Sequence, residues 1–137
     1  MLKLIIGSKG AGKTKRLIAL ASEALETSHG SVVCLEQGNK LMYDISHKIR
    51  LIDTSDYLVC DGQSLFGFVA GIYASNHDIT DIFIDSALKI CKNNVASFEL
   101  FLSECDKFAT NAGVNIIMTS SLPVEEATDT MKKYLSE

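Results

Sequence analysis

The sequence contains few of the residues that mark several common classes of protein. It has one proline, Pro123, and two arginines, Arg16 and Arg50, and its formal net charge is −4. An acidic chain has no bulk attraction for nucleic acid or for anionic lipid. We therefore expect no specific nucleic-acid surface, and no proline-rich linker that would divide the chain.

The cysteines and histidines do not form a metal-binding or disulfide pattern. The four cysteines are far apart, no two of them form a CxxC pair, and no histidine lies at ligand spacing from them. His29, His47 and His77 are far apart in the sequence, and each lies near a predicted turn. We expect surface histidines and buried thiols. The thiols are those of Cys34, Cys60, Cys91 and Cys105.

No run of the sequence is long and apolar enough to span a bilayer. The longest apolar stretch, LFGFVAGIYA, is too short, and the first residues lack the pattern of a signal peptide. A chain of 137 residues that is 47% hydrophobic is long enough for one domain with a real core and short for two. These features predict a single domain over residues 1–137, a cytoplasmic location and no membrane partner.

Four apolar runs alternate with helical patterns along the chain. The runs are nearly continuous, which is typical of strands that are covered on both faces in a parallel sheet. Helical periodicity follows the first run and precedes the last, where the helix is expected to end at Gly113. This order predicts a three-layer α/β/α sandwich with a mainly parallel sheet. The four runs are LKLIIG (2–7), SVVCLEQG (31–38), DIFIDS (81–86) and VNIIMTSS (114–121).

The segment between Lys40 and Cys60 has a mixed pattern. KLMYDI and IRLID predict a hairpin about Ser46 and His47, and YLV predicts a further short strand.

Two further helices are expected. Residues 63–75 are apolar on nearly every side, which predicts a helix that is sandwiched in the core or pressed against a second subunit. Gly67 and Gly71 would permit close approach on that helix. A last helix is expected from Pro123 onward, with two glutamates in its first turn and two lysines in its last.

The stretch GSKGAGKT, residues 7–14, fits the phosphate-binding pattern G-x-x-x-x-G-K-[ST] in full. It follows a predicted strand and precedes an amphipathic helix, which is the context that the pattern requires. Its glycines let backbone amides turn inward, and the helix N-terminus adds partial positive charge, so the loop can hold phosphate. The alternative is a glycine-rich turn with a solvated lysine. The predicted phosphate-binding residues are Gly7, Ser8, Lys9, Gly10, Ala11, Gly12, Lys13, Thr14 and Lys15.

Side chains in and near this loop predict a magnesium site. Lys13, also a candidate catalytic residue, can reach the β- and γ-phosphates, and the Thr14 hydroxyl can ligate a magnesium ion that touches them. Asp85 ends the run IFID, and ligands gather at the carboxyl ends of parallel strands. We expect Thr14 and Asp85 to hold Mg²⁺, the alternative for Asp85 being a cap at the strand end.

At both motifs the chain resembles the P-loop NTPases, with Asp85 at the position of their Walker B aspartate. The resemblance implies Mg-ATP or Mg-GTP as the ligand, and the lack of an NKxD-like run favours adenine. It also favours a RecA-like (ASCE) fold over a nucleotide-kinase-like one, because two arginines can hardly build the arginine-rich lid of nucleoside monophosphate kinases. RecA-like thymidine kinases are similar near the N-terminus, but their zinc ribbon has no counterpart here. Along its full length the chain resembles a group of small bacterial ATP-binding P-loop proteins.

The resemblance also implies candidate catalytic residues. Ser86 follows Asp85 where many P-loop ATPases have a glutamate that activates water, so fast hydrolysis is not expected. RecA-like members carry that base at the end of the strand after the P-loop helix, where Glu36 stands here. A surface or salt-bridging glutamate is the alternative. Arg50 is the candidate arginine finger, acting within the subunit or across a dimer. Thr119, Ser120 and Ser121 lie where such proteins have a polar sensor residue, and a helix cap before Pro123 is the alternative for Ser120 or Ser121.

Two functions of different classes fit these features. One is a small enzyme that binds Mg-ATP or Mg-GTP and hydrolyses it slowly, with a homo-oligomer or a partner protein completing the site. The other is a nucleotide-binding regulatory module, in which binding orders a loop or a dimer and turnover is incidental. A nucleoside or small-molecule kinase is a third interpretation.

Overall fold

Five parallel strands form a single sheet in the computed structural model, which describes residues 1–136. The strands are β1 (Leu2–Gly7), β2 (Ser31–Glu36), β3 (Arg50–Asp53), β4 (Ile79–Ile84) and β5 (Asn115–Ser121). The helices are α1 (Lys13–Thr27), α2 (Gly62–Ser75), α3 (Ala87–Ile90), α4 (Val95–Ala112) and α5 (Asp129–Lys132). Along the sheet the strands lie in the order β1, β5, β4, β2, β3, and every neighbouring pair is parallel.

Each face of the sheet packs into its own hydrophobic cluster, which explains why the strand sequences are continuously apolar. Successive residues of a strand point to opposite faces, so Leu35 belongs to one cluster and Cys34 to the other. Helix α1 covers one face through Leu17 and Ala21, and α4 covers the other through Phe98 and its neighbours. The predicted three-layer α/β/α sandwich with a mainly parallel sheet is confirmed.

The predicted hairpin about Ser46 and His47 is wrong. Residues 40–44 form turns, and only residues 50–53 of the IRLID segment form a strand. That strand pairs with β2 in parallel, so the segment between them returns to the amino ends of the strands as a crossover and forms no hairpin.

The burial pattern of this segment explains the error. Leu41, Ile45 and Ile49 are buried, four residues apart, and all three join the cluster under α1. A strand would send alternate residues to opposite faces, so this spacing suits a coiled segment that follows one face. The expected strand at YLV is also wrong, because Leu58 is exposed and has a left-handed backbone with φ of 62°.

The predicted helix over residues 63–75 is confirmed as α2. Leu65 and Val69 are buried on the side that packs on α4. Gly67 and Gly71 are exposed, and a Cβ atom added at either would meet nothing within 4 Å. Helix α2 therefore lies on the outside of the sandwich, and the alternative of a subunit contact stays a prediction.

The expected last helix is interrupted. Val124–Glu126 is a single 3-10 turn, and α5 begins only at Asp129. Ala127 between them is buried and extended, with φ of −61° and ψ of 129°. Thr128 then starts a new helix, because its side-chain oxygen accepts a hydrogen bond from the Met131 amide at 3.3 Å.

The segment after α5 pairs with the outer edge of β1. The Leu4 amide donates to the Tyr134 carbonyl at 2.7 Å, and the Ser136 amide donates to the Leu4 carbonyl at 2.9 Å. Arg16 Nη2 also donates to Ser136 Oγ at 3.1 Å, which joins this segment to α1. On the other side of the sheet, the outermost strand is β3.

Burial separates the cysteines into two groups. Cys34, Cys91 and Cys105 are buried as expected, and burial raises the pKa of the first two thiols to about 12. The expectation is wrong for Cys60, which is exposed just before the start of α2. All three histidines are exposed, as expected. Within residues 1–136, no helix is both long and apolar enough to cross a membrane.

Two glycines of α2 should respond in opposite ways to alanine. The Gly62 amide donates to Ser97 Oγ at 2.8 Å, and a Cβ atom at this position would overlap the Ser97 carbonyl oxygen. We expect Gly62→Ala to lower the free energy of unfolding by about 1–3 kcal/mol through overpacking. Gly67→Ala, the matched control in the same helix, should raise it by about 0.5–1 kcal/mol. Urea denaturation measures both, and equal effects would contradict the packing of α2 on α4.

Candidate functional site

The carboxyl ends of the parallel strands meet at one edge of the sheet, where they surround a cavity of about 630 Å³. Four segments line this cavity. The loop after β2 contributes Lys40 and Leu41, and the end of β5 contributes Thr119 and Ser121. The loop after β1 and the start of α1 contribute Lys9, Gly10, Gly12, Lys13, Thr14 and Lys15. The segment after β4 contributes Asp85, Ser86, Lys89 and Asn93.

The loop GSKGAGKT lies where the sequence predicts it, between β1 and α1. Gly10 and Gly12 have φ of 89° and 84°, a left-handed conformation that favours glycine. No side chain of the described residues caps the first turn of α1, so its leading amides are open to an anion. Gly7, Ser8 and Ala11, the three other predicted phosphate-binding residues, do not line the cavity.

The Lys13 ammonium lies folded over the loop. Its Nζ atom donates to the Ser8 carbonyl at 2.8 Å, and the Ala11 amide donates to the same oxygen at 3.1 Å. A phosphate oxygen is a stronger acceptor for an ammonium than a carbonyl is. Lys13 is therefore positioned to exchange this internal contact for a bound anion.

The structure brings Thr14 and Asp85 together, as the sequence predicts. Thr14 Oγ1 donates to Asp85 Oδ1 at 3.2 Å, and Thr119 Oγ1 donates to the same oxygen at 2.9 Å. Thr119 in turn accepts a hydrogen bond from the Ser86 amide at 2.8 Å. The hydroxyl of Thr14 and the carboxylate of Asp85 are hard oxygen donors, a set that fits Mg²⁺ bound through one carboxylate and phosphate. Within the described residues, no cluster of three or more His, Cys, Asp or Glu side chains forms an alternative metal site.

Glu36 is buried at the end of β2, with 2% of its surface exposed. Its Oε1 and Oε2 atoms accept hydrogen bonds from the amides of Lys40 and Leu41, each at 3.1 Å. Burial raises the pKa of the Glu36 carboxyl, and the charges of Asp85 and Asp53 add to that effect, whereas the two amides oppose it. Glu36 is thus neither a surface residue nor a salt-bridging one. Its carboxylate instead binds the backbone of the loop that follows β2.

Arg50 is not brought to this cavity. It begins β3, where it pairs with Val33, and so lies toward the amino ends of the strands. There it lines a separate cavity together with Lys48. The placement does not support a role for Arg50 as a finger within the subunit, and the role across a dimer stays a prediction.

Two cations of the cavity, Lys40 and Lys89, were not among the predicted site residues. Lys40 is the fourth residue after the end of β2, and Lys89 is the fourth residue after Asp85. A lysine four or five positions beyond a buried strand would be the signal for both, because the carboxyl ends of the strands share one edge. Lys89 is held by α3, whose Leu88 amide donates to Ser120 Oγ at 3.2 Å.

Comparison with known proteins identifies a shared fold. No protein-family model matches the sequence, and no curated protein matches it. Among solved structures, the chain is similar to "Structure of C. elegans PCH-2", with a TM-score of 0.56 and 16% sequence identity. The similarity covers 98% of this chain and 33% of that one, so the chain spans about a third of the length of PCH-2.

The buried Glu36 carboxyl predicts a pH dependence of stability. Its pKa is higher in the folded chain than the ordinary value of 4.5, so the folded state holds this proton more tightly than the unfolded state. Its contribution to stability is therefore complete below pH 4.5 and is lost as the pH rises through the folded-state pKa. We expect the free energy of unfolding of the wild type, relative to Glu36→Gln, to decrease as the pH rises.

Urea denaturation over about pH 4 to 8 measures this difference. Glu23→Gln, at an exposed position of α1, is the control for the loss of a carboxylate elsewhere in the chain. A wild type that gains stability relative to Glu36→Gln with rising pH would contradict the direction of the shift.

Proposed function

We propose that this chain binds a nucleoside triphosphate together with Mg²⁺, with ATP favoured over GTP, and hydrolyses it slowly. The hydrogen bond between Thr14 and Asp85 carries the proposal, because it places two hard oxygen ligands beside the uncapped N-terminus of α1. The similarity of fold to PCH-2, an AAA+ ATPase, supports the same class of ligand.

Different residues of the cavity would bind different parts of this ligand. The first amides of α1 would bind phosphate oxygens, and Lys13 would leave the Ser8 carbonyl to do the same. Thr14 and Asp85 would hold Mg²⁺, which neutralises charge on the phosphates when it is bound. Thr119 keeps the Asp85 carboxylate turned toward Thr14 through their shared oxygen.

Three features support slow turnover. Ser86 stands where a water-activating glutamate would follow Asp85. Both carboxylate oxygens of Glu36, the other candidate base, already accept backbone hydrogen bonds. Arg50 lies in another cavity, so an arginine for the transition state would have to come from a second copy or a partner protein.

A nucleotide-binding regulatory module is the second candidate function. The hydrogen bonds of Glu36 favour this second function. A carboxylate that is 2% exposed and accepts hydrogen bonds from two amides is poorly placed to activate water. Binding without turnover would then be the biochemical activity of the chain. The role of Glu36 as a general base stays a prediction.

Lys13→Ala should weaken binding of Mg-ATP strongly. The variant loses a charged donor to phosphate, an effect of about 2 kcal/mol, which corresponds to a roughly thirtyfold higher Kd. Isothermal titration calorimetry measures this change. Lys107→Ala, at an exposed position on α4, is the matched control and should bind like the wild type. An unchanged Kd for Lys13→Ala would contradict the proposed function.

Asp85→Asn should remove the effect of magnesium. An amide oxygen can still accept from Thr14 and Thr119, so the fold is kept, but it is a much weaker ligand for Mg²⁺ than a carboxylate. We expect Mg²⁺ to tighten ATP binding in the wild type and to have little effect in the variant, and phosphate release to fall at least about tenfold.

Asp78→Asn, an exposed substitution just before the amino end of β4, is the control for this experiment. Phosphate release and binding are measured with and without Mg²⁺ on all three proteins. Magnesium dependence that survives in Asp85→Asn would overturn the assignment of the metal site. Magnesium-dependent binding with no phosphate release in the wild type would favour the regulatory module.

A further inference from the structure

We propose that Lys40 contacts the terminal phosphate of the bound triphosphate, and that Glu36 is the positioning residue that holds Lys40 at the cavity. This inference rests on the proposed function. It assigns to Lys40 the positive charge near the terminal phosphate that Arg50 cannot supply from its place in the subunit.

The strand order sets the direction of the phosphate chain. The phosphate-binding loop follows β1, and β5 and β4 separate β1 from β2. Strand β2 pairs with β4, and the Asp85 amide donates to the Leu35 carbonyl at 2.8 Å, so residues after β2 lie beside Asp85. A chain of phosphates that begins in the loop and shares a metal with Asp85 therefore extends toward β2. Its terminal phosphate lies nearest the segment that carries Lys40.

The backbone of that segment is fixed at several points. Glu36 accepts the amides of Lys40 and Leu41, as described above, and Leu41 is 3% exposed within the cluster under α1. The Gly38 amide donates to Asp53 Oδ1 at 2.8 Å, which ties the same segment to the end of β3. The Lys40 side chain is exposed and lines the cavity. A mobile ammonium thus extends from a fixed backbone.

The charge of the cavity supports a polyphosphate as the ligand. Its lining contains five lysines and one carboxylate, that of Asp85, although the whole chain has a net charge of −4. Three of the lysines belong to the loop and the start of α1, and Lys40 and Lys89 come from other segments. A lysine is a point charge without the two-pronged geometry of arginine, which agrees with charge stabilisation in a slow enzyme.

The test compares nucleotides that differ by the terminal phosphate. We would measure the Kd of Mg-ATP and of Mg-ADP for the wild type, Lys40→Ala and Lys48→Ala. Lys48 is the matched control, because it is an exposed lysine of the same connection between β2 and β3 but lines the opposite cavity. We expect Lys40→Ala to weaken ATP binding by at least about tenfold and ADP binding by less than about threefold. Lys48→Ala should change neither by more than about twofold.

The outcomes separate the two proposals. A wild type that binds neither nucleotide overturns the proposed function. A wild type that binds both, with Lys40→Ala indistinguishable from Lys48→Ala, overturns the inference and leaves the proposed function intact. Inorganic tripolyphosphate and pyrophosphate are the second pair of probes, and the same selective loss is expected for them because the contact is with phosphate alone.

Glu36→Gln tests the positioning role. We expect the same selective loss of ATP over ADP as in Lys40→Ala, and no further loss when the two substitutions are combined. Lys40→Arg should keep the preference for ATP, since it restores a cation on the same backbone. A general fault of folding would instead weaken ATP and ADP equally. Slower phosphate release with an unchanged ratio of the two Kd values would make Glu36 the base and overturn its positioning role.

Glu36→Asp replaces Glu36→Gln if the amide variant does not fold. The shorter carboxylate keeps the charge but cannot reach both amides of the loop, so the selectivity for ATP should still fall. Retained selectivity in a folded Glu36→Asp would count against the positioning role in the same way.

Discussion

One carboxylate oxygen, Oδ1 of Asp85, accepts hydrogen bonds from hydroxyls that lie far apart in the sequence. Thr14 belongs to the first turn of α1 and Thr119 to the last residues of β5, so this oxygen joins the loop between β1 and α1 to the centre of the sheet. The position of the loop relative to β4 depends on it. The leading amides of α1, the Lys13 ammonium and the Asp85 carboxylate then face one cavity.

The parallel sheet separates the residues that stabilise the fold from those that line the cavity. Its two faces are covered by apolar clusters, and the polar side chains gather where the strands end. Glu36 is one of the exceptions, because it is a buried acid at the boundary between the core and the cavity. Two backbone amides compensate for the loss of water around it, and the charge of Asp85 nearby works against its ionisation. Glu36 thus holds its loop in one conformation, and its contribution to the free energy of unfolding decreases as the pH rises.

The sequence was sufficient for the features that depend on local signals. Continuous apolar runs located the strands, the glycine pattern located the loop, and Gly113, with φ of 71°, ended α4 where expected. Asp85 could be placed beside Thr14 because parallel strands share one edge for their carboxyl ends.

The predictions were wrong where the structure depends on the three-dimensional path of the chain and not on a local signal in the sequence. Leu41 and its buried partners follow one face of α1 through turns, a pattern that resembles neither a strand nor a full helix. The place of Arg50 depends on the direction of β3, because parallel pairing with β2 puts the first residue of β3 toward the amino ends of the strands. The last helix is broken at Ala127, a buried residue in an extended conformation that no local signal in the sequence marks. Glu36 accepts its hydrogen bonds from backbone amides, and the pattern of side chains in a sequence does not predict such contacts.

The two margins of the sheet differ in their capacity to recruit another chain. Residues 134–136 already occupy part of the β1 margin through their bonds to Leu4. The β3 margin is only four residues long, with the cation of Arg50 at one end and the anion of Asp53 at the other. Short strands with charges at their ends are poor templates for edge-to-edge association. A sheet made of such apolar strands is in this way protected from edge-to-edge association, while the cavity at the carboxyl ends of its strands stays open.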